Sequence, residues 1–269
     1  MKLCFIGYGN MAAAIAGGIL AKGLYLPGEI AIFDPSEQRK MLARDLGLSI
    51  ISDIKNEIDD VDTIILSVKP KTFPDIMRLL SGVTLSGKTI ISIAAGITLD
   101  YMETHLGKST ALVRAMPNTP LLLGKGTTAL CRNEHVNDEA FALAQDIFAS
   151  AGTVYLLPET AMNHVINLNG SSPAYLYLFA QTVADFAAEQ GSIPYDTALN
   201  MFCDTMCGAA AMLRESGQAP EDLIRMVSSP GGTTIAALKA FDEGGFTTAI
   251  TAGLSAAVRR AEEMGRENV

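Results

Sequence analysis

Lys2-Leu3-Cys4-Phe5-Ile6-Gly7-Tyr8-Gly9-Asn10-Met11-Ala12 opens the chain with a β-rich run, a glycine turn and the start of a helix. GxGxxA placed directly after a strand and directly before a helix is the context that a dinucleotide fingerprint requires. Each small residue has a physical task. Gly7 permits the tight turn, Gly9 lets a pyrophosphate approach the backbone, and Ala12 lets the helix pack closely on the strand. The helix N-terminus meanwhile offers N–H donors to an anion. On this reading Ile6, Gly7, Tyr8, Gly9, Asn10 and Met11 lie against the cofactor. A glycine turn with no ligand is the alternative that the same letters allow.

Outward from that turn, helical patterns over 11–22 and 37–46 alternate with strand patterns over 2–6 and 29–33, the signature of βαβ units and a parallel sheet. Further strands are predicted over 63–68, 89–93, 110–116, 127–131 and 153–157. After Pro158 the texture changes: Ala, Leu and Met dominate, and helical stretches are interrupted at 191–194, 217–220 and 228–232. Pro173 falls inside a helical pattern over 159–190, so a kink or a break is expected just before it. The predicted fold class is α/β: a Rossmann-like doubly wound sheet over 1–158, followed by an all-α domain over 159–269, to which the resemblance described below gives substrate binding and dimerisation. Small-residue stretches over 207–211 and 249–257 permit close helix approach, within one chain or between subunits.

The 269 residues are 49% hydrophobic and only 18% charged, with a formal net charge of −9. Such a chain has no basic face for a phosphate backbone, so no nucleic-acid partner is expected. The apolar start is interrupted by Gly7, Gly9, Gly17 and Gly18, and no segment elsewhere reads as a membrane span. Cys4, Cys131, Cys203 and Cys207 form no CxxC pair, and only 3 histidines accompany them. Neither a disulfide framework nor a metal site is expected, and a reducing cytoplasm follows. Cys203 and Cys207, one helical turn apart, read as buried apolar thiols, with a redox pair as the other reading of the same spacing.

The second strand ends at Asp34, where a carboxylate accepts from adenosine ribose hydroxyls and repels a 2′-phosphate. That favours NADH over NADPH, although Arg39 and Lys40, one turn into the next helix, can answer a phosphate, so both cofactors stay open. Val68, Lys69 and Pro70 follow one strand and Ala94, Ala95 and Gly96 another, beyond the carboxyl ends where ligands of open α/β sheets bind. Two prolines stiffen Pro117-Asn118-Thr119-Pro120, which can present Asn118 to the nicotinamide amide. Each of these is otherwise simply a turn. In the second half, Val227-Ser228-Ser229-Pro230-Gly231-Gly232-Thr233-Thr234 runs straight into an apolar helix, with Thr233 or Thr234 able to cap it. A carboxylate docked there would take charge-assisted bonds of roughly 1.5 to 3 kcal/mol each. An ordinary capped helix after a turn is the other reading.

Taken together, these segments resemble the pyrroline-5-carboxylate reductase family, from Met1 to about Arg260. Phe5 to Ala12 is similar to the family's opening motif, Val68-Lys69-Pro70 and Met116 to Pro120 to its cofactor-side loops, and Ser228 to Thr234 to its signature loop. The resemblance implies NAD(P)H-dependent reduction of 1-pyrroline-5-carboxylate, a cyclic imine bearing a carboxylate, to L-proline, the last step of proline biosynthesis. It implies a homodimer or higher homo-oligomer. It places Thr234 opposite the ring nitrogen, Thr233, Ser229 and Gly232 in the same substrate loop, and Glu159 as the acidic contact ahead of the long helix. Reducing an electrophilic iminium needs orientation and a proton source near nitrogen rather than a strong base, in keeping with so few histidines. His164 reads as a surface or half-buried helix residue.

Departures from the family cluster. Gly170-Ser171-Ser172-Pro173-Ala174-Tyr175 stands where members commonly show a GSGPAY-type run, preceded by Asn163-His164 and Ile166-Asn167-Leu168-Asn169; Ile54 stands where many place an asparagine near the cofactor. Two other readings compete. A β-hydroxyacid dehydrogenase-like oxidoreductase shares the plan but relies on a lysine in its helical half, and this chain has none between Lys125 and Lys239. A non-catalytic nucleotide-binding relative would have little chemical reason to keep the loop from Ser228 to Thr234.

Overall fold

The computed structural model describes residues 2–191 and 193–267. Eight strands, β1 (Leu3–Ile6), β2 (Ile30–Phe33), β3 (Ser49–Ile50), β4 (Thr63–Leu66), β5 (Thr89–Ser92), β6 (Ala111–Met116), β7 (Gly126–Arg132) and β8 (Gly152–Leu156), form one sheet in the order β3-β2-β1-β4-β5-β6-β7-β8. Between them run α1 (Asn10–Lys22), α2 (Glu37–Asp45), α3 (Ile54–Glu57), α4 (Phe73–Leu80), α5 (Leu99–Leu106) and α6 (Asp138–Ala149).

The central strands are solidly apolar because both faces are covered. Leu3 and Phe5 of β1 share one core with Ile15 and Ile19 of α1 and Phe148 of α6, while Cys4 and Ile6 share the other with Phe73 and Met77 of α4 and Met102 of α5. Helix α1 buries Ala12, Ile15, Ala16 and Ile19, the spacing of a single helical stripe. On the second face, Lys88 is buried with its Nζ donating to the carbonyls of Ile58, Asp59 and Val61 at 2.6 to 3.0 Å.

Three features differ from the expected pattern. The sheet is not wholly parallel: β7 runs antiparallel to β6, with Met116 opposite Ala129. Only a 3₁₀ turn at Thr119–Leu123 links them, too short a connection for a parallel crossover. The segment over 159–190 breaks ahead of Pro173 as expected, but what precedes the break is two 3₁₀ turns, Glu159–Ala161 and Val165–Asn167, rather than helix, and α7 (Ser172–Glu189) follows. Pro173 falls in the first turn of α7, where its missing N–H has no intrahelical acceptor to lose. The chain divides into one compact unit of Met1–Ser172 with Ala257–Val269, and a second of Pro173–Ala256. Residues 159–172 group with the sheet although the composition changes at Pro158, because Met162, Val165 and Asn169 are buried there.

The second unit is all helix: most of α7, then α8 (Tyr195–Glu215), α9 (Pro220–Met226), α10 (Thr233–Glu243) and the first half of α11 (Phe246–Glu267). Its buried described residues are Pro173, Ala180, Ala184 and Ala198, while Leu176, Tyr177, Leu178, Phe186 and Met201 lie exposed. Cys203 and Cys207, expected to be buried, are exposed on α8, since this unit covers so little of itself. Among the described residues no helix is long and apolar enough to cross a membrane, and no cluster of three or more His, Cys, Asp or Glu is placed to hold a metal.

Candidate active site

Parallel register aligns the carboxyl ends of five strands. Ile6 pairs with Phe33 on one side and Leu66 on the other, Leu66 with Ser92, and Ser92 with Arg114. The segments that follow therefore leave the sheet along one edge, which gathers Gly7 to Met11, Asp34, Val68 to Pro70, Ala94 to Gly96 and Asn118. The strand order reverses between β1 and β4, and a doubly wound sheet opens its ligand crevice at such a point.

The glycine turn is built for close approach on two sides. Gly7 has φ +88°, and a Cβ there would lie 2.8 Å from Val68 Cγ1 and 2.9 Å from the Ser67 carbonyl oxygen. The hydroxyl of Ser67 donates to the carbonyls of Gly7 and Ile6, stitching β4 to the turn. Gly9, the N-cap of α1, makes no side-chain cap bond, and a Cβ built on it meets nothing within 4 Å. Open space at an uncapped helix N-terminus fits a pyrophosphate.

Asp34 is anchored to backbone. Its Oδ2 accepts from Tyr8 N–H at 2.7 Å and its Oδ1 from Ser36 N–H at 2.8 Å. The side chains of Ile6 and Tyr8 belong to the core rather than the crevice; Tyr8 is 1% exposed and packs edge-on to Phe5. Burial pushes the Tyr8 phenol up to about 12, and its hydroxyl has no hydrogen-bond partner among the described residues. Asn10 and Lys69 are exposed, and Met11, Val68 and Pro70 half-buried. Gly96, φ +78°, is packed against the last turns of α11, where a Cβ would lie 3.2 Å from Gly265 N and 3.4 Å from the Ala261 carbonyl oxygen.

Two asparagines take over where the β6–β7 ladder stops. Asn118 Oδ1 accepts from Thr127 N–H at 2.8 Å, which leaves its Nδ2 amide as the group available to a ligand. Asn169 donates through Nδ2 to the carbonyls of Met116 (2.6 Å) and Thr127 (3.0 Å). Beside this clamp, Arg114 rises from β6 almost wholly buried, donating to Asn163 Oδ1 at 2.7 Å and facing Glu159 Oε1 at 3.5 Å. Burial lowers the guanidinium pKa, and the Glu159 charge partly restores it. The same Glu159 oxygen accepts from Leu99 N–H at 2.6 Å. His164 is exposed and lies between the two 3₁₀ turns, not on a helix, and Ile54 is buried at the start of α3.

In the helical unit, α10 begins at Thr233 with Gly232, not a threonine, as N-cap, and no side chain caps it. Gly231 takes φ +73°, and Gly232 N–H donates to the Ser229 carbonyl at 2.9 Å. Neither Thr233 nor Thr234 takes the N-cap position that the sequence allowed them, and among the described residues no side-chain cap bond is made there. Among helices whose caps are described, only α1 and α10 have a glycine N-cap. The buried Oγ of Ser228 has no partner among the described residues.

Sequence reasoning passed over Arg114, and met Ser67, Asn169 and Ser228 only inside longer stretches, with no partner assigned to any of them. Arg114 alone carried a signal, a cation inside the apolar run Leu112-Val113-Arg114-Ala115-Met116, whereas a serine at a strand end and an asparagine in a turn look like ordinary boundary residues.

Comparison with known proteins agrees with this anatomy. Residues 159–264 match the family model described as pyrroline-5-carboxylate reductase dimerisation, and residues 2–96 one described as NADP oxidoreductase, coenzyme F420-dependent. The pyrroline-5-carboxylate reductase of Escherichia coli is 34% identical over 266 residues, covering 98% of each chain. Among solved structures, the 1-pyrroline-5-carboxylate reductase of Streptococcus pyogenes superposes with a TM-score of 0.87 at 34% identity over 98% of each chain. The pyrroline carboxylate reductase of Plasmodium falciparum, solved with NADP bound, reaches 0.88 at 28% identity with the same coverage. With the fingerprint, the glycine-capped loop and near-complete coverage of its relatives, the chain belongs to the pyrroline-5-carboxylate reductase family.

Proposed function

We propose that the chain reduces 1-pyrroline-5-carboxylate to L-proline with NADH or NADPH, as a cytoplasmic homodimer or higher homo-oligomer. The observation that carries the reading is the Gly232-capped start of α10, an anion cradle in a chain whose other half carries a dinucleotide turn. Gly9, Asn10 and Met11 would receive the cofactor's pyrophosphate, and Val68 to Pro70, Ala94 to Gly96 and the Asn118 amide would flank its nicotinamide end. When bound, the reduced nicotinamide supplies the hydride.

The chain's own residues then have to hold a small anionic imine and manage a proton. Thr233 and Thr234 present backbone N–H groups to the substrate carboxylate, while Gly232 shapes the turn by donating its own N–H to the Ser229 carbonyl. The Thr234 hydroxyl faces the ring nitrogen and orients it. Glu159, whose Oε1 is engaged by Leu99 and Arg114, offers Oε2 to the cationic side of the imine. No group needs a strongly shifted pKa, since the iminium is already electrophilic.

Loss of reduced nicotinamide absorbance, followed separately with NADH and NADPH and racemic pyrroline carboxylate, tests the activity. No oxidation with either would overturn it. Thr234→Ala is expected to lower kcat at least about tenfold, the loss of one oriented hydrogen bond, with cofactor affinity nearly unchanged. An unaltered kcat would remove Thr234 from its role.

A further inference from the structure

Helix α2 carries three cations, of which two share a carboxylate and the third does not. Lys40 Nζ donates to Glu37 Oε1 at 2.7 Å, and Arg44 lies 3.7 Å from the other oxygen of the same carboxylate. Arg39 instead donates through Nη1 to Asn10 Oδ1 at 3.2 Å, a neutral acceptor, and no ion pair joins it to a carboxylate among the described residues. Its charge is left uncompensated by a contact partner, and four of its five N–H donors remain for another ligand.

Position gives that charge a use. Asn10 is the first residue of α1, next to Gly9, and Arg39 is the third of α2. The bond therefore lays the guanidinium across the groove between the fingerprint helix and the end of β2, where a dinucleotide fold seats the adenosine ribose. Asp34, the group expected to turn a 2′-phosphate away, has each oxygen directed at a backbone N–H, of Tyr8 and of Ser36, so it fixes the two loops to each other.

We infer that Arg39, steadied by Asn10, reads the ribose 2′-phosphate and sets the balance between NADPH and NADH, while Asp34 serves as a loop clamp. The inference rests on the cofactor site proposed above. A guanidinium matches a phosphate in two-pronged geometry, which a lysine cannot reproduce, and a half-exposed pair of this kind weakens with salt.

Calorimetry of the full chain with adenosine 2′,5′-bisphosphate and with 5′-AMP tests it without turnover. The wild-type chain binds the bisphosphate more tightly, and added salt narrows the gap. In Arg39→Gln the ratio of the two affinities falls at least about tenfold and loses its salt dependence, whereas Arg39→Lys falls between. An unchanged ratio in Arg39→Gln, or equal weakening of both nucleotides, overturns the inference. If the wild-type chain binds neither nucleotide, the cofactor site itself is misassigned and the inference falls with it.

Discussion

At the scale of the residue, the two fingerprint glycines answer different demands. Gly7 is confined by its neighbours, with Val68 and Ser67 inside van der Waals distance of any Cβ and a backbone that L side chains rarely adopt. Gly7→Ala is therefore expected to lower the melting midpoint and nucleotide affinity together. Gly9 has free space instead, so Gly9→Ala is expected to melt like the wild-type chain and bind nucleotide at least about tenfold more weakly, by obstructing only the ligand. Matched melting and titration curves separate the cases, and a Gly9→Ala variant of undiminished affinity would count against a pyrophosphate there. Tyr8 makes a third case, for its buried hydroxyl has no partner among the described residues. Tyr8→Phe is expected to stabilise the fold by about 1 kcal/mol in denaturant titration, because an unsatisfied buried hydroxyl costs more than the hydrogen bond it fails to make; a loss of stability would show that the hydroxyl is bonded in solution. These distinctions lay beyond the letters. GxGxxA marks the turn, but which glycine is crowded depends on the placement of Ser67 and Val68 after β4, some sixty residues later.

At the scale of the element, Arg114 joins the sheet to the two 3₁₀ turns ahead of α7. Its guanidinium serves Asn163 and Glu159, and Glu159 in turn holds the N-terminus of α5 through Leu99. Arg114→Met keeps the volume but leaves both acceptors without the cation. The expected loss is about 2 kcal/mol in denaturant titration, below that of breaking a wholly buried pair because the Glu159 side chain keeps 33% exposure to water. No loss would mean that the turns are held by Met162 and Val165 alone. The same neighbourhood governs thiol chemistry. Cys131, opposite Arg114 on β7, has its thiol pushed up to about 12 by burial and the Glu159 charge, and burial takes Cys4 to about 12 as well. Thiolate being the reactive form, no more than two of the four cysteines should be alkylated at pH 8 in the folded chain, as counted by mass. Modification of Cys4 or Cys131 before unfolding would contradict this. Strand and helix positions were largely legible, since apolar period and punctuation encode them locally. The direction of β7 was not, for an isolated strand pattern reads the same in either direction, and only the short link after Asn118 decides it.

At the scale of the whole molecule, the helical unit buries a proline and three alanines while leaving long apolar side chains in contact with water, too little core for independent stability. Light scattering should therefore give a mass of at least twice the 28.5 kDa chain, with a melting midpoint that rises with protein concentration. A folded monomer at low concentration would contradict the proposed oligomer. By itself, the sequence determined the alternation of strands and helices, the dinucleotide turn, the glycine-rich start of α10 and the helical character of the second half. Each of these is written in residues a few positions apart, because backbone conformation and helix or strand period are local properties. The tertiary structure alone decided that Asp34 answers to Tyr8 across 26 positions, that Arg114 meets Glu159 across 45, and that Cys203 and Cys207 face outward. A side chain's partner is whichever distant group the fold brings to within about 3 Å, and the linear order of residues carries no record of that distance.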